Sequence, residues 1–166
     1  MKVNLKKLTG GQAAVKSLNK EQVKHVFGLI GSATMEMFDA LYHEKKIKFI
    51  DVRDERTGTH MADGYARASN QPGVIIAGQN GPGATNLVTG LAQAKAAFSP
   101  VVSLAGLYST KDNMEDAFQG LDQQSLFEPV TKKTITLKNS KHIPNAISDG
   151  FNICLLYTSP SPRDRG

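Results

Sequence analysis

Residues 51–67, DVRDERTGTHMADGYAR, gather four carboxylates, Asp51, Asp54, Glu55 and Asp63, and three of them crowd the end of the apolar run IKFI. Acids in that place have two uses. They can cap the following helix by accepting its unpaired N–H groups, worth about 1 kcal/mol, or they can move a proton if held away from water. Spacing alone does not choose between cap and catalyst for Asp54 and Glu55. Asp51 falls inside the apolar run and needs a partner or a place near an edge. Asp63 falls mid-helix beside Gly64 and reads as structural.

The second candidate is GQNGPG, residues 78–83. Its glycines follow G-x-x-G-x-G, not the G-x-G-x-x-G of a dinucleotide site, and no Gly-Lys-Ser/Thr follows as in a Walker loop. By spacing it is better read as a tight strand-to-helix turn, although a helix N-terminus behind it could face an anion. Ser32 lacks the G-x-S-x-G context of a hydrolase nucleophile. His60 lies five residues beyond Glu55 and off its helical face. No second histidine or cysteine stands at ligand spacing, so no metal site is expected in this chain. His25, His43 and His142 read as surface or packing residues.

These residues must be positioned by the elements around them. TGGQAAVKSLNK predicts a short helix capped by Thr9. VKHVFGLI (23–30), IKFIDVR (47–53), PGVIIAGQ (72–79) and SPVVSLAG (99–106) predict strands. SATMEMFDALYHEKK predicts a helix capped by Ser32 or Thr34, with Met35, Phe38, Leu41 and Tyr42 on one stripe and Lys45 and Lys46 in its last turn. ERTGTHMADGYARASN predicts a helix with Met61, Tyr65 and Ala68 on one face, kept slender by Gly58, Ala62, Gly64 and Ala66. ATNLVTGLAQAKAAF predicts another, with Leu87, Leu91, Ala94 and Phe98 aligned. Residues 107–129 read as irregular or short helix, VTKKTITLK (130–138) as a further strand, and HIPNAISDGFNI as a last helix.

Strand and helix alternate at least four times, and three strands are nearly continuous apolar runs. The expected architecture is α/β: a Rossmann-like three-layer domain with a central, mainly parallel sheet covered on both faces and joined by right-handed crossovers. No internal repeat appears. Ligands of such sheets bind outside the carboxyl ends of the strands. Three loops occupy that edge here: Gly31-Ser32-Ala33, Asp54-Glu55-Arg56, and Gln79 to Gly83.

The chain of 166 residues fits one domain. Its net charge of +5 comes from scattered lysines, with a mild excess at Lys2, Lys6 and Lys7 and no aromatic interleaving. Solvated surface lysines, not a nucleic-acid footprint, are the expectation. No apolar run approaches the ~20 residues of a membrane span, and the start lacks the apolar core of a secretory signal. A cytoplasmic location is the default. The single cysteine, Cys154, forms no intrachain disulfide. It opens CLLYTSPSPRDRG, an abrupt change of composition that resembles a translated transposon-type sequencing adapter. Residues 154–166 are set aside as a non-native tail and 1–153 taken as the domain; a disordered Pro/Ser tail is the alternative. On the first reading the native protein is interrupted near Ile153.

VFGLIGSA (26–33), RDERTGTHMADGYARAS (53–69), QNGPGATNLVTGLAQA (79–94) and DAFQ (116–119) resemble, in order and spacing, the N-terminal domain of thiamine-diphosphate enzymes of the acetolactate synthase group, over about residues 10–153. The resemblance implies a domain that binds the aminopyrimidine ring of thiamine diphosphate. It implies a homodimer or dimer of dimers formed through this domain and a small-molecule substrate, beside the expectation from charge and hydropathy that neither nucleic acid nor membrane is a partner. It implies that Glu55 is the catalytic acid, sharing a proton with the pyrimidine ring so that the cofactor can act as an electron sink. Ile30 and Gly31 match the loop beside the ring. Gln79, Pro82 and Asn86 match the loop and helix start that line it. Phe118 and Gln119 match a Phe-Gln pair near the reaction centre. Each of these could instead be packing.

The departures bear on substrate. Ser32 stands where acetolactate synthases usually have a second glycine, Asp54 where histidine is common, and Gln79-Asn80 where Thr-Ser is commoner. Gly-Ser-Ala and Gln-Asn-Gly-Pro-Gly look more like sulfoacetaldehyde acetyltransferases, a sister group. The resemblance places magnesium and the diphosphate in a C-terminal domain outside this sequence and leaves flavin use open. The expectation is an enzyme fragment, inactive alone, whose complete form decarboxylates a 2-oxo acid and ligates the two-carbon unit to an acceptor. The alternatives are sulfoacetaldehyde acetyl transfer or, in another class, a non-catalytic Rossmann-like binding module.

Overall fold

A computed structural model describes residues 8–156 apart from 110, 113 and 115. Lys2, Lys6, Lys7 and residues 157–166 of the tail lie outside the described residues. The order is α1 (Gly10–Lys20), β1 (His25–Gly28), α2 (Met35–Tyr42), β2 (Lys48–Asp51), α3 (Glu55–Ser69), β3 (Gly73–Ala77), α4 (Pro82–Ala96), β4 (Val101–Ala105), α5 (Gln123–Phe127) and α6 (Ile143–Leu156). The four strands are all parallel, in the order β2-β1-β3-β4. The α/β, three-layer expectation is met.

The two apolar clusters follow from strand alternation. Val26, Val74 and Ile76 point to one face, where α1, α2 and α6 cover them through Leu18, Phe38, Leu41, Ile147 and Phe151. Phe27, Ile75 and Ala77 point to the other, under Ala62 of α3, Leu87 and Leu91 of α4 and Phe127 of α5. All five residues of β3 are buried, as a parallel strand sandwiched by helices must be. Each fully buried aliphatic side chain here stabilises the fold by about 1.5–3 kcal/mol.

Local signals hold where they concern caps and runs. Thr9 caps α1, accepting from the Gln12 N–H at 3.2 Å while Gln12 Oε1 accepts from the Thr9 N–H. Asp54 caps α3, accepting from the Arg56 N–H at 2.8 Å.

Several expectations are corrected. Residues 133–137 form no strand. Alternation supplies an apolar face, but a strand also needs a neighbour's N–H and C=O groups. A groove of about 930 Å³, lined by Val101–Ala105 on one side and by Val130, Lys133, Ile135 and Leu137 on the other, lies between this segment and the outer edge of β4. In α2, Phe38 and Leu41 are buried, whereas Met35 and Tyr42 are exposed. A 3-10 turn over Ser32–Thr34 delays the start of the helix, and it ends before Lys45 and Lys46. Neither Ser32 nor Thr34 caps it through its side chain. In α3 the buried face is Gly58, Thr59, Ala62, Asp63 and Ala66, while Met61 and Ala68 are exposed and Gly64 borders open space. The helix turns its narrow side inward because β3 and α4 approach it closely; Gly90 of α4 lies against Thr59. Phe98 follows the end of α4, half-buried, with φ 55°. The last helix runs on to Leu156, three residues past the composition break, and Cys154 is buried in the first cluster. Among the described residues no helix is long and apolar enough to cross a membrane.

Candidate active site

The strand order reverses direction at β1: β2 lies on one side of it and β3, reached by crossing over, on the other. The loops after β1 and β3 therefore lead to helices on opposite faces of the sheet, α2 on one and α4 on the other, and such a switch point at the carboxyl edge is where ligands of open parallel sheets bind. Register brings Gly28, Asp51, Ile76 and Ala77 to that edge together.

Gly31 and Gly78 touch back to back. A Cβ on either would collide with the other's backbone, so both loops depend on the missing side chains. The contact is reinforced from Thr34, whose buried hydroxyl donates to the Ala77 carbonyl at 3.0 Å and lies 3.2 Å from the Gly78 carbonyl. The Ala33 N–H donates to the same Gly78 oxygen at 3.1 Å. Gly81 then turns the chain at φ 60° into α4, where Pro82 takes the first helical position and gives up an N–H the helix could not pair.

Glu55 is the first residue of α3 and is only 4% exposed. Asn86 on α4 donates from Nδ2 to Glu55 Oε2 at 3.0 Å. Oε1 has no hydrogen-bond donor among the described residues, and the open side of Gly83 lies against it: a Cβ there would sit 3.0 Å from that oxygen. One carboxyl oxygen is pinned and the other has no hydrogen-bond donor among the described residues.

The remaining acids separate cleanly. Asp54 is the cap, with Arg56 3.7 Å away. Asp51 ends β2 at the sheet edge, exposed, 3.6 Å from Arg53. Asp63 is buried on α3 and takes two hydrogen bonds from Arg67, at 2.9 and 2.6 Å. Burial alone would raise its carboxyl, but the hydrogen bonds of Arg67 and Ser99 and the Arg67 charge together hold it below the usual carboxylate range.

The loop carrying Phe118 and Gln119 joins the same edge. Buried Asn80 donates from Nδ2 to the carbonyls of Phe118, at 2.9 Å, and Gln119, at 3.1 Å. Ser32 donates to Gln79 Oε1 at 2.7 Å, and Gln79 Nε2 donates to Gln119 Oε1 at 2.7 Å. Ile30 and Phe118 project at the rim, 56% and 80% exposed. The structure thus gathers Gly31, Ser32, Glu55, Gln79, Pro82, Asn86, Phe118 and Gln119 around one edge.

The histidines stay apart from it. His25 packs at a tilt against the Tyr65 ring, with Nδ1 3.3 Å from the phenol oxygen. His43 lies 4.0 Å from Asp39, and His60 and His142 are exposed. Among the described residues no three His, Cys, Asp or Glu side chains form a metal-binding group.

Three contributors escaped the sequence reading. Thr34 looked like a helix cap, Asn80 like a loop residue, and Gly83 like a turn glycine. Only the packed loops show what each touches.

Residues 8–126 match the thiamine pyrophosphate enzyme family in its N-terminal TPP binding domain. The chain is 42% identical over 146 residues to a probable acetolactate synthase large subunit of Methanocaldococcus jannaschii, an alignment covering 88% of this chain and 24% of the relative. It is 39% identical to the mitochondrial acetolactate synthase catalytic subunit of Aspergillus candidus, over 87% of this chain and 21% of the relative. It is 37% identical to the acetolactate synthase large subunit of Haemophilus influenzae, over 90% and 26% respectively. The chain spans about a quarter of the length of these curated relatives.

Proposed function

The chain belongs to the thiamine pyrophosphate enzymes through their N-terminal TPP binding domain, and on that premise we propose that it receives the aminopyrimidine ring of thiamine diphosphate in an acetolactate-synthase-like enzyme. The complete enzyme would decarboxylate a 2-oxo acid and ligate the two-carbon unit to an acceptor. The observation that carries this reading is Glu55: buried, with Oε2 held by Asn86 and Oε1 without a donor among the described residues.

The residues fit the group. Gly83 leaves space against Glu55 Oε1 that any side chain would fill. A half-pinned carboxyl in a sheltered place can pass a proton to and from a ring nitrogen without reorienting. Asn86 fixes the carboxyl plane, and Asp54 anchors the helix start that carries it. Gly31 lets the β1 loop pack onto Gly78, and the exposed Ile30 would offer the ring an apolar face. Pro82 and Gln79 border the same space. When bound, thiamine diphosphate supplies an acidic carbon that adds to a carbonyl and stores the electrons released on decarboxylation. Magnesium and the diphosphate would be held by parts of the enzyme outside this chain. The exposed Ile30 and Phe118 side chains support a rim covered by a second subunit, in a homodimer or dimer of dimers.

The test is a full-length enzyme in which residues 8–153 replace the matching segment of an acetolactate synthase relative. Thiamine-diphosphate-dependent formation of acetolactate from pyruvate is expected. Cofactor binding without consumption of any 2-oxo acid would overturn the reading. Acetyl phosphate formed from sulfoacetaldehyde in the same preparation would favour the sister reaction that Gly31-Ser32-Ala33 resembles.

A further inference from the structure

Helices α3 and α4 run side by side in the same direction and meet at two levels one turn apart. At the first level Asn86 donates from Nδ2 to Glu55 Oε2 at 3.0 Å. A carboxylate only accepts, so the amide nitrogen is the atom that faces it. Four residues on in each helix, Gly90 faces Thr59. Residues four apart share a helix face, so the two contacts lie one above the other. Toward α3, α4 turns Gly83, Asn86 and Gly90, and of these only Asn86 has a side chain to cross the gap.

The second level has no slack. A Cβ on Gly90 would lie 2.5 Å from Thr59 Cβ and 2.6 Å from its Cγ2, so Thr59 already fills that space. Its side chain is fully buried, and its hydroxyl donates to the Glu55 carbonyl at 2.7 Å, which holds the methyl toward Gly90. A Cβ moves only with its backbone, so neither residue could turn aside. Carbon atoms rest about 3.5–4.0 Å apart, and a methyl at position 90 would therefore drive the helices apart by about 1 Å. A 3.0 Å hydrogen bond stretched by that much is lost. Asn86 is exposed, so the distance between the helices, not packing around the amide, decides whether it reaches Glu55.

We propose that Gly90 and Thr59 are positioning residues: their contact sets the gap between α3 and α4 at which Asn86 can hold one oxygen of Glu55, leaving the carboxyl fixed with Oε1 toward Gly83. Resting on the functional reading above, that clamp keeps the proton carrier aimed at the ring, although the contact lies a turn away and touches neither cofactor nor substrate. A wider gap frees Glu55 to turn and admits water beside it, while both helices keep their fold.

The test is a swap of bulk. Gly90→Ala puts a methyl into the contact, and Thr59→Gly combined with Gly90→Ala moves the bulk from one helix to the other and restores the room. Ile147→Val, in the cluster on the opposite face of the sheet, controls for simple loss of stability. In the 166-residue chain, the Asn86 side-chain amide NMR resonances should shift in Gly90→Ala and stay near their wild-type positions in the swap and in Ile147→Val. Resonances indifferent to Gly90→Ala, shifted as much by Ile147→Val, or displaced in a folded swap would overturn the contact as the spacer; the swap decides even where Gly90→Ala alone does not fold. In the full-length enzyme, Gly90→Ala should slow hydrogen–deuterium exchange at the thiazolium carbon by about ten- to a hundredfold, the loss expected for a misplacement of about 1 Å, with the cofactor still bound and the swap recovering most of the rate. Exchange at the wild-type rate beside shifted resonances would overturn the positioning role. A full-length enzyme of wild-type sequence that exchanges no thiazolium proton would overturn the functional reading and that role with it, while the resonances still decide the spacer.

Discussion

Replacing Glu55 by glutamine keeps the shape of the side chain and removes its charge. The effects on stability oppose one another. At the first residue of α3 a carboxylate favours the positive end of the helix by about 0.3–1 kcal/mol. The hydrogen bond from Asn86 weakens by about 1 kcal/mol when its acceptor becomes neutral. In the other direction, Glu55 is 4% exposed, and a neutral amide there relieves a desolvation cost on the order of 1–3 kcal/mol. The chain should therefore unfold in urea within about 2 kcal/mol of wild type by this balance. Function should respond very differently, because an amide cannot carry the proton. In the full-length enzyme, hydrogen–deuterium exchange at the thiazolium carbon, read by NMR after acid quench, should slow by about a hundred- to ten-thousandfold while the cofactor still binds. Exchange at the wild-type rate would refute the proton-carrier role. A loss of more than about 3 kcal/mol of stability, the signature of a broken buried network, would show that Glu55 is chiefly structural.

Three further outcomes are expected. Gly83→Ala should leave stability unchanged or slightly raised, since alanine gains up to about 1 kcal/mol in a helix. Its methyl would stand 3.0 Å from Glu55 Oε1, so cofactor affinity of the full-length enzyme, measured by calorimetry, should fall about tenfold, as expected for roughly 1.4 kcal/mol; unaltered affinity would remove Gly83 from the site. Asp63→Asn should destabilise by about 1–2 kcal/mol at neutral pH, less than for a fully buried pair because Arg67 is half exposed. The Asp63 carboxyl is held below its usual range, so this stabilisation is fully present above about pH 4 and is lost as pH falls through the lower folded value; urea unfolding of both proteins from pH 3 to 7 should show the two curves converging in acid. Ser103→Ala should raise the urea midpoint, because the buried Ser103 hydroxyl has no hydrogen-bond partner among the described residues and its burial costs about 1–3 kcal/mol; a lower midpoint would mean that the hydroxyl is satisfied.

Part of the site is legible in the order of residues. Four apolar runs separated by helical periodicity imply a parallel sheet, and a parallel sheet implies ligand loops at its carboxyl edge. Gly31, the Asp54-Glu55 pair and the Gln79–Gly83 loop all fall at that edge by this reasoning. The pattern does not divide labour within the pair. Asp54 and Glu55 are adjacent acids at a helix start, and only the packing of α4 against α3 shows that one caps while the other is buried beside Asn86. The misreadings have a common cause. The stripe of Met61, Tyr65 and Ala68 has the right spacing for a core face, but close helix approach favours small residues, so α3 buries glycine and alanine instead. The alternation in residues 130–138 has the right period for a strand, but pairing depends on what lies alongside.

Sequence by itself determined the alternation of elements, the caps at Thr9 and Asp54, the edge on which chemistry would sit and, by resemblance, the thiamine-diphosphate family. These rest on interactions between neighbours in the chain, whose spacing is written in order. The tertiary structure alone decided which glutamate oxygen is pinned, that Gly31 and Gly78 meet, and that Ser32, Gln79 and Gln119, 40 or more residues apart, are joined by hydrogen bonds. Contacts between distant segments depend on how the sheet twists and the helices settle, and no local pattern encodes that placement.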